Sequence, residues 1–556
     1  MKKERKYIFV VGGVISGVGK GVTTSSIAKI LQSRGLTVTA IKIDPYVNVD
    51  AGTMNPTEHG EVCVLSDGYE TDQDMCGYER FLDISLSRLN YMTTGSIYSK
   101  VISRERNLEY KGKCVQVVPH IPLEVIKQIK KASEEADADV TMVEIGGTVG
   151  EYENILFLEA ARMLKIKNPQ DVMCVMVSYL PTPAKVGEMK TKPTQHASRA
   201  LNSAGLQADI IIARSSTPLD KKRKEKIATF CNILPEHVIS APDVDSIYDI
   251  PSNFERGNLG NIVLKTLGLT QQVAMVSDLV KWRHLSSKIK SLEDETHIAI
   301  IGKYFDTGDF VLSDAYISVI EAIKFSAYSI GKKPILNWLN AADFEDEKQD
   351  KKLNKYDGIL VPGGFGERAI EGKINVIKYA RENGIPYFGL CYGMQLLVVE
   401  YARNVLGLTG ANTVEINPMA EHPVIDIMAG QRKKLAEKDY GGSMRLGSYP
   451  AIIKKGTIAY GAYKKDEVTE RHRHRYEVNP KYVEQLEKAG LIFSATSPNG
   501  VLMEIAELPQ TQHPFFLGTQ FHPEFEARPF TPHPLFTAFV KATVAAGKSN
   551  TIRPVP

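Results

Sequence analysis

The stretch Tyr7-Ile8-Phe9-Val10-Val11-Gly12-Gly13-Val14-Ile15-Ser16-Gly17-Val18-Gly19-Lys20-Gly21 decides how the first half of this chain is read. Its apolar run, without polar alternation, fits a strand buried on both faces. Glycines break the run, and residues 22–34 then show helical spacing closed by Gly35. A glycine turn between strand and helix that carries a lysine offers backbone N–H groups and a helix N-terminus to a chain of phosphates. The turn departs from G-x-x-x-x-G-K-[ST]: Val14 stands where the first glycine belongs, and Gly21 where a Mg2+-binding hydroxyl is expected. Metal coordination must then come from carboxylates elsewhere.

Outward from this turn the alternation continues, with strand patterns at 36–43, 140–145, 172–180 and 208–213 and a helical stretch at 122–136. Strands alternating with helices indicate a parallel sheet covered on both faces. Residues 270–296 are polar and mixed in charge, with helical spacing. The alternation restarts with strands at 297–301, 358–361 and 386–390 and helices near 313–330, 372–383 and from Tyr392. The expected fold class is α/β with two doubly wound domains: a P-loop-like nucleotide-binding domain at 1–268, a linker at 269–296, a second domain at 297–547 and a tail at 548–556.

Composition narrows the function classes. Length alone suggests about three to four domain-sized units. Among 556 residues, 43% are hydrophobic and 24% charged, and 43 Gly and 28 Pro fall without a period, which excludes fibrous, collagen-like and wholly disordered classes. Lys and Arg number 68 against 65 Asp and Glu, so the net charge of +3 gives no reason to expect nucleic acid or a membrane surface as partner. A highly charged ligand must be met by local clusters. Six cysteines without a C-x-x-C pair fit a reducing cytosol and no disulfide framework. The basic start Met1 to Lys6 with its apolar run imitates a secretory signal, but the run ends in glycines, and a soluble cytoplasmic protein is expected.

Two carboxylates suit a metal in the first half: Asp74, in the acidic stretch from Glu70, and Glu144, which closes an apolar strand ahead of Gly146-Gly147. Lys190-Thr191-Lys192-Pro193-Thr194-Gln195 supplies two lysines two apart, which in an extended segment would point the same way, as a second triphosphate requires. The run Lys221-Lys222-Arg223-Lys224 reads as a solvated helix face.

In the second half, Gly389-Leu390-Cys391-Tyr392-Gly393 follows a strand and opens a helix. This is the cysteine counterpart of a nucleophile elbow, where flanking glycines permit a crowded turn and the helix N-terminus favours a thiolate. Phe521-His522-Pro523-Glu524 supplies an acid/base, His522, and an orienting carboxylate, Glu524. Pro362-Gly363-Gly364-Phe365-Gly366, with the amide of Tyr392, could give N–H groups to a tetrahedral oxyanion.

These stretches resemble known families over nearly the whole chain. The second half resembles class I glutamine amidotransferase domains, and the combination resembles the CTP synthase family. The likeness also rests on Lys42-Ile43-Asp44-Pro45-Tyr46, His59-Gly60-Glu61-Val62, Asp245-Ser246-Ile247-Tyr248, Arg471-His472-Arg473-His474-Arg475-Tyr476-Glu477 and the run from Gln520 to Glu524. It implies an N-terminal amidoligase and a C-terminal glutaminase that convert UTP to CTP with ATP, Mg2+ and glutamine nitrogen. By position it implies ATP on Gly17, Val18, Gly19, Lys20, Gly21, Val22, Asp74, Pro242, Asp243 and Val244. It implies Mg2+ on Asp74 and Glu144, and UTP or CTP on Ser16, Glu151, Tyr152, Glu153, Lys190, Thr191, Lys192, Pro193, Thr194, Gln195 and Lys226. Glutamine would lie on Gly364, Tyr392, Gly393, Met394, Gln395, Glu415 and Arg475, with Cys391, His522 and Glu524 as the catalytic triad.

The resemblance further implies a protected passage for ammonia, with His59 and Val62 near its mouth, because ammonia in neutral water becomes non-nucleophilic ammonium. GTP activation through Arg368, CTP feedback inhibition, homotetramers and filaments are also family traits. Glu151-Tyr152-Glu153-Asn154 replaces the usual Asp-Ile-Glu-Ser, Ala369 a usual Gly and Tyr392 a usual Leu, which bears on CTP inhibition and on the GTP response. Two alternatives stand beside this: a related glutamine-hydrolysing amide ligase acting on cofactor carboxylates, and a catalytically decayed filament-forming protein.

Overall fold

The structure, a computed structural model, describes residues 3–185, 187–269, 277–302, 313–364, 366, 369–428, 431 and 441–550. Phe365, Arg368, residues 270–276 of the expected linker and residues 551–556 of the expected tail lie outside them. The chain divides into two compact units: Met1–Asp50 with Gly77–Lys290, and Ala51–Cys76 with Ser291–Pro556.

Strands in the first half are β1 (Lys6–Gly13), β2 (Val38–Asp44), β3 (Val62–Val64), β4 (Glu70–Asp72), β5 (Tyr91–Thr93), β6 (Val140–Ile145), β7 (Val172–Tyr179), β8 (Ile210–Ser215) and β9 (Val238–Pro242). All but β3 and β4 form one parallel sheet in the order β5-β2-β6-β1-β7-β8-β9. Every residue of β1 is buried, as a central strand covered on both faces requires. Ile8, Phe9 and Val10 are at most 1% exposed, and each stabilises the fold by about 1.5–3 kcal/mol. The chain builds the sheet to one side of β1 as far as β6 and then crosses to β7 on its other side. The C-terminal end of β1 is therefore a topological switch point, where open α/β sheets bind ligands. The helix Ser277–Lys290, within the expected linker, belongs to this unit.

The second unit contains β10 (Glu295–Gly302), β11 (Lys333–Asn340), β12 (Gly358–Val361), β13 (Tyr387–Leu390), β14 (Ala411–Thr413), β15 (His422–Ile427), β16 (Arg445–Ile453), β17 (Glu467–His474), β18 (Tyr476–Val478), β19 (Ile492–Thr496), β20 (Met503–Glu507) and β21 (Phe516–Thr519). Its main sheet runs β11-β10-β12-β13-β21-β20-β19-β16-β17. The pairs from β11 to β21 are parallel, as the alternating pattern implies. From β21 to β17 the pairs are antiparallel, an extension beyond the alternating pattern, with the short helices Ile458–Tyr463 and Pro480–Lys488 in its connections.

The antiparallel β3–β4 hairpin, from the first half of the sequence, folds with this second unit. Its attachments are specific: Glu61 N donates to Asp314 O (3.0 Å), Ser448 N to Ser66 O (2.9 Å) and Arg471 Nη1 to Val64 O (3.1 Å). Gly447, at φ +94, has no room for a side chain, because a Cβ would lie 2.6 Å from Gly68 N.

Contrary to expectation, the protein contains a disulfide. Cys63 and Cys76, both fully buried, are joined in a disulfide with a Cα–Cα distance of 6.0 Å. A spacing of thirteen residues does not match the metal or redox patterns by which cysteine pairs are read, and only the hairpin brings the two together. The remaining cysteines, 114, 174, 231 and 391, are free. Thiol titration of the denatured protein should therefore give four thiols without reductant and six after reduction. Six without reductant would refute the crosslink. The bond should contribute about 3 kcal/mol by restricting the unfolded chain.

Candidate functional site

At the switch point, the turn after β1 takes the shape a phosphate cradle needs. Gly17 and Gly19 have φ of +68 and +89, and Gly19 caps the helix Lys20–Ser33. These left-handed values favour glycine. Val14 takes φ +85, so the departure from the usual first glycine places a β-branched residue in a strained conformation. Lys20 runs back over Gly12, where a Cβ would meet its Nζ at 2.9 Å, and donates to Gly147 O at 2.9 Å. Ser16 and Gly17 are exposed and Val18 is buried. Arg214, at the end of β8, was not foreseen. Its Nε lies 3.8 Å from where a Gly19 Cβ would stand, and its guanidinium donates to Asp243 Oδ1 (3.0 Å). The turn and two of the expected residues, Pro242 and Asp243, thus lie around one arginine, whose Nη1 also reaches Pro242 O at 3.5 Å.

Glu144 lies in a buried charged cluster. Its Oε1 accepts from Lys42 Nζ (2.9 Å) and its Oε2 from the Tyr78 hydroxyl. Lys42 also lies 3.7 Å from Asp44 Oδ1, and Tyr91 donates to Asp44 Oδ2 at 2.8 Å. Among these groups two carboxylates face one lysine. The cluster sits beside the phosphate turn, since Glu144 pairs in register with Val10 of β1. Buried carboxylate oxygens are the donors a hard divalent cation takes. Lys42 and Asp44 were legible only as a family-like stretch, and Tyr78 carried no signal. Asp74 lies in the first turn of the helix Gln73–Leu82, on the segment that folds with the second unit.

Lys190 and Lys192 do not lie on one extended segment as expected. Thr191 has helical backbone angles (φ −94, ψ −9), and Lys192 begins the helix Lys192–Ser203. Strand alternation therefore does not align Lys190 with Lys192. Instead Lys190 joins a different cluster through Glu188. A hydrogen bond from Lys190, followed by the charges of Lys190, Arg223 and Lys226, holds the Glu188 carboxyl below its usual value. Thr194 and Gln195 turn inward, bonded to Ser178 (2.8 Å) and Thr191 (3.1 Å). Glu151 folds back on Thr148, accepting from its N and Oγ1 at 2.9 and 2.6 Å, while Tyr152 is 91% exposed. Glu153 is exposed and Asn154 donates to Thr148 O at 2.9 Å.

In the second unit, Cys391 is the N-cap of the helix Tyr392–Asn404 and takes φ +48, ψ −96. A non-glycine residue there costs on the order of 1–3 kcal/mol. The elbow is held by Cys391 N donating to Thr519 O (2.6 Å). Both flanking glycines are required. A Cβ on Gly393 would lie 2.3 Å from Val361 O, and one on Gly389 would lie 2.7 Å from the Gly393 carbonyl carbon. Gly363, Gly364, Cys391, Arg473, His522 and Glu524 face a cavity of about 70 Å³, with Val62 from the hairpin strand also lining it. His59 does not line it, and its Nδ1 lies 3.2 Å from Asp72 Oδ2. A larger cavity of about 1500 Å³, near Tyr356 and Pro386, contains none of the expected site residues.

His522 Nδ1 donates to Glu524 Oε1 at 2.7 Å, which leaves Nε2 as the ring atom available to the sulfur. Burial alone would lower the imidazole's pKa. The charges of Glu524 and Cys391, with hydrogen bonds to both, instead push it up to about 10. A folded value above the ordinary 6.5 gives stabilisation that is fully present below about 6.5 and lost as pH rises through about 10. The basic limb of kcat/KM for a reaction that uses this pair should accordingly fall near pH 10. A limb near neutrality would contradict this ion pair.

The expected glutamine residues meet different neighbours. Glu415 Oε1 accepts from Gly366 N (3.0 Å) and the Tyr392 hydroxyl donates to Gly366 O (3.3 Å), so both tie down the glycine turn beside the elbow. Ala369, just beyond, has φ +59, the conformation for which glycine is usual. Arg475 Nη1 donates to Gln431 Oε1 at 2.9 Å. Met394 is fully buried against Gly518, where a Cβ would lie 2.8 Å away, and Gly393 is packed on Val361, so each can offer a ligand only its backbone. Gln395 donates to Tyr476 O at 3.0 Å. Among the described residues no helix is long and apolar enough to cross a membrane.

Comparison with known proteins follows the same division. A family model described as CTP synthase N-terminus matches residues 6–269, and one described as glutamine amidotransferase class-I matches residues 311–542. The CTP synthase of Shouchella clausii is 48% identical over 545 residues, covering 97% of this chain and 99% of its own length. That of Pyrococcus abyssi is 50% identical over 539 residues, covering 97% of both chains. A solved structure, the glutaminase domain of Trypanosoma brucei CTPS with bound acivicin, shares 38% identity and covers 45% of this chain and 94% of that one, with a TM-score of 0.41.

Proposed function

This chain belongs to the CTP synthase family and is a ligase, and from that premise we propose that it aminates UTP in two linked reactions, one in each unit. The observation that carries the proposal is the pairing of a strained Cys391 elbow and its His522–Glu524 partner with a glycine phosphate turn on one chain.

In the first unit, ATP lies along Gly17, Val18, Gly19, Lys20, Gly21 and Val22, with Pro242, Asp243 and Val244 at its other end. UTP is held by Ser16, by the segment from Lys190 to Gln195 and by Lys226. The uracil C4 carbonyl is a poor electrophile. Its O4 attacks the γ-phosphorus, ADP leaves, ammonia adds at C4, and phosphate departs with the former carbonyl oxygen. Lys20 neutralises charge on the phosphates as the transfer proceeds, since such reactions depend on positioning and charge compensation. Glu144 and Asp44 would hold Mg2+, which when bound neutralises the phosphate oxygens.

In the second unit, the Cys391 thiolate attacks the side-chain carbonyl carbon of glutamine, and the N–H groups of Tyr392 and Gly364 receive the oxyanion. His522 gives its Nε2 proton to the departing ammonia, and Glu524 keeps the ring oriented. Water then cleaves the thioester to glutamate. Ammonia passes to the first unit without release to solvent. Control by GTP and CTP, and assembly into homotetramers, are part of the proposal. The exposed Tyr152 gives the CTP contact a different surface from the usual family sequence.

The test is CTP formation by the purified chain with UTP, ATP and Mg2+, supplied with glutamine or with ammonium, with and without GTP. Product from both nitrogen sources, with GTP raising only the glutamine rate, is expected. Absence of CTP from both would refute the reading.

A further inference from the structure

Besides His522, a second side chain lies against Cys391. Gln520, fully buried just beyond β21, has its Nε2 3.6 Å from Cys391 Sγ in donor geometry. An amide's oxygen and nitrogen are told apart by their neighbours, and here these are unambiguous. Gln395 Nε2 donates to Tyr476 O at 3.0 Å, and a carbonyl can only accept. The same Gln395 nitrogen donates to Gln520 Oε1 at 3.3 Å. Gln520 therefore turns its oxygen to Gln395 and its NH2 to the sulfur. The backbone is pinned as well: Gln520 N donates to Glu504 O (2.8 Å), and the preceding carbonyl, of Thr519, accepts from Cys391 N (2.6 Å).

We propose that Gln520 is a further catalytic residue of glutamine hydrolysis, an N–H donor to the Cys391 sulfur whose orientation is set by Gln395. A hydrogen bond to the charged form of a group favours that form, and in a buried site no water competes for the donor. The donor acts twice. Before attack it fixes the direction of the sulfur. In the second half-reaction, water adds to the thioester carbonyl, and the C–S bond breaks with its electron pair returning to sulfur. The Gln520 N–H then faces the returning charge. Glutamate leaves, and no oxidant or further reactant is needed. This assigns Gln395 a positioning role besides the glutamine contact expected of it.

The proposal rests on Cys391 being the nucleophile. The test follows alkylation of the Cys391 peptide by iodoacetamide as a function of pH, read by mass spectrometry on the full chain without glutamine. Three variants are compared: Gln520→Met, which keeps size but removes the donor, Gln520→Glu, which faces the sulfur with a carboxylate, and Gln395→Leu, which releases the amide's orientation. Gln520→Met should move the alkylation midpoint up by about one pH unit and Gln520→Glu by more. In Gln520→Met, kcat for glutamine should fall by at least about 10-fold, with KM changed less than about 3-fold. Gln395→Leu should show a smaller shift in the same direction. Unchanged midpoints, or a loss confined to KM, would overturn the proposal. Should the Gln520 variants fail to fold, an unshifted Gln395→Leu profile would overturn it alone. If a Cys391→Ala chain still hydrolyses glutamine, the nucleophile assignment fails. If that variant is inactive and the profiles do not move, only the role of Gln520 fails.

Discussion

A Cys391→Ala variant is expected to form CTP from ammonium at close to the wild-type rate and to form none measurable from glutamine. The sulfur sits at the N-cap of a helix, at φ +48, facing a cavity shared with His522 and Glu524. Alanine occupies the same backbone position without adding atoms, so Cys391 N can still donate to Thr519 O and the elbow is kept. What disappears is the covalent route, and loss of a nucleophile that works as a unit with its base reduces turnover by about 10⁴-fold or more. Ammonium-supported synthesis, on the proposed scheme, bypasses the sulfur. Measured side by side, loss of both rates would show that the two reactions do not reside in separate units. Survival of the glutamine rate would show that another group attacks the amide.

The converse result is expected of Lys20→Met, with CTP formation lost from both nitrogen sources. Methionine keeps most of the stem that lies over Gly12 but removes the ammonium group that reaches Gly147 O at 2.9 Å. That group stands at the start of the helix Lys20–Ser33, where the backbone of Gly17 and Gly19 leaves room for phosphates. Removing one placed charge donor from a phosphoryl-transfer site should cost about 10²–10³ in kcat, by analogy with other preorganised donors. Alkylation of Cys391 should be unchanged, since the nucleophile belongs to the other unit. If ammonium-dependent synthesis in this variant stayed within about 3-fold of wild type, the glycine turn would not be the ATP site.

Much of this protein was legible without coordinates because the signals are local. The uninterrupted apolar run at Tyr7 to Val11, ending in glycines, reads as a fully covered strand, and it is the centre of its sheet. The glycine–cysteine–glycine spacing around Cys391 dictates a crowded strand-to-helix turn, because any side chain at Gly389 or Gly393 would collide with backbone. His522 and Glu524 are two residues apart, and the bond that orients the imidazole lies within one short segment. Turn chemistry and side-chain period act over a few residues, so a sequence displays them directly.

Other features depend on chain segments far apart, and only the tertiary structure decided them. The hairpin Val62–Val64 and Glu70–Asp72 sits in the first half of the sequence but folds with the second unit, held by Arg471, Ser448 and Asp314. The same hairpin brings Cys63 to Cys76, which spacing alone did not reveal. Lys42 meets Glu144 across two neighbouring strands, and Arg214 reaches the phosphate turn from β8. Gln520 reaches the sulfur from a residue 129 positions away. The expected alignment of Lys190 with Lys192 failed for the same reason: it assumed an extended backbone, and packing of the helix Lys192–Ser203 set Thr191 in a helical one. Period and turn residues thus determined the two folds and the positions of their reactive turns. The partners that set charge, orientation and covalent closure were decided by which distant strands pair, because no local pattern encodes the energy of a contact between segments that only folding brings together.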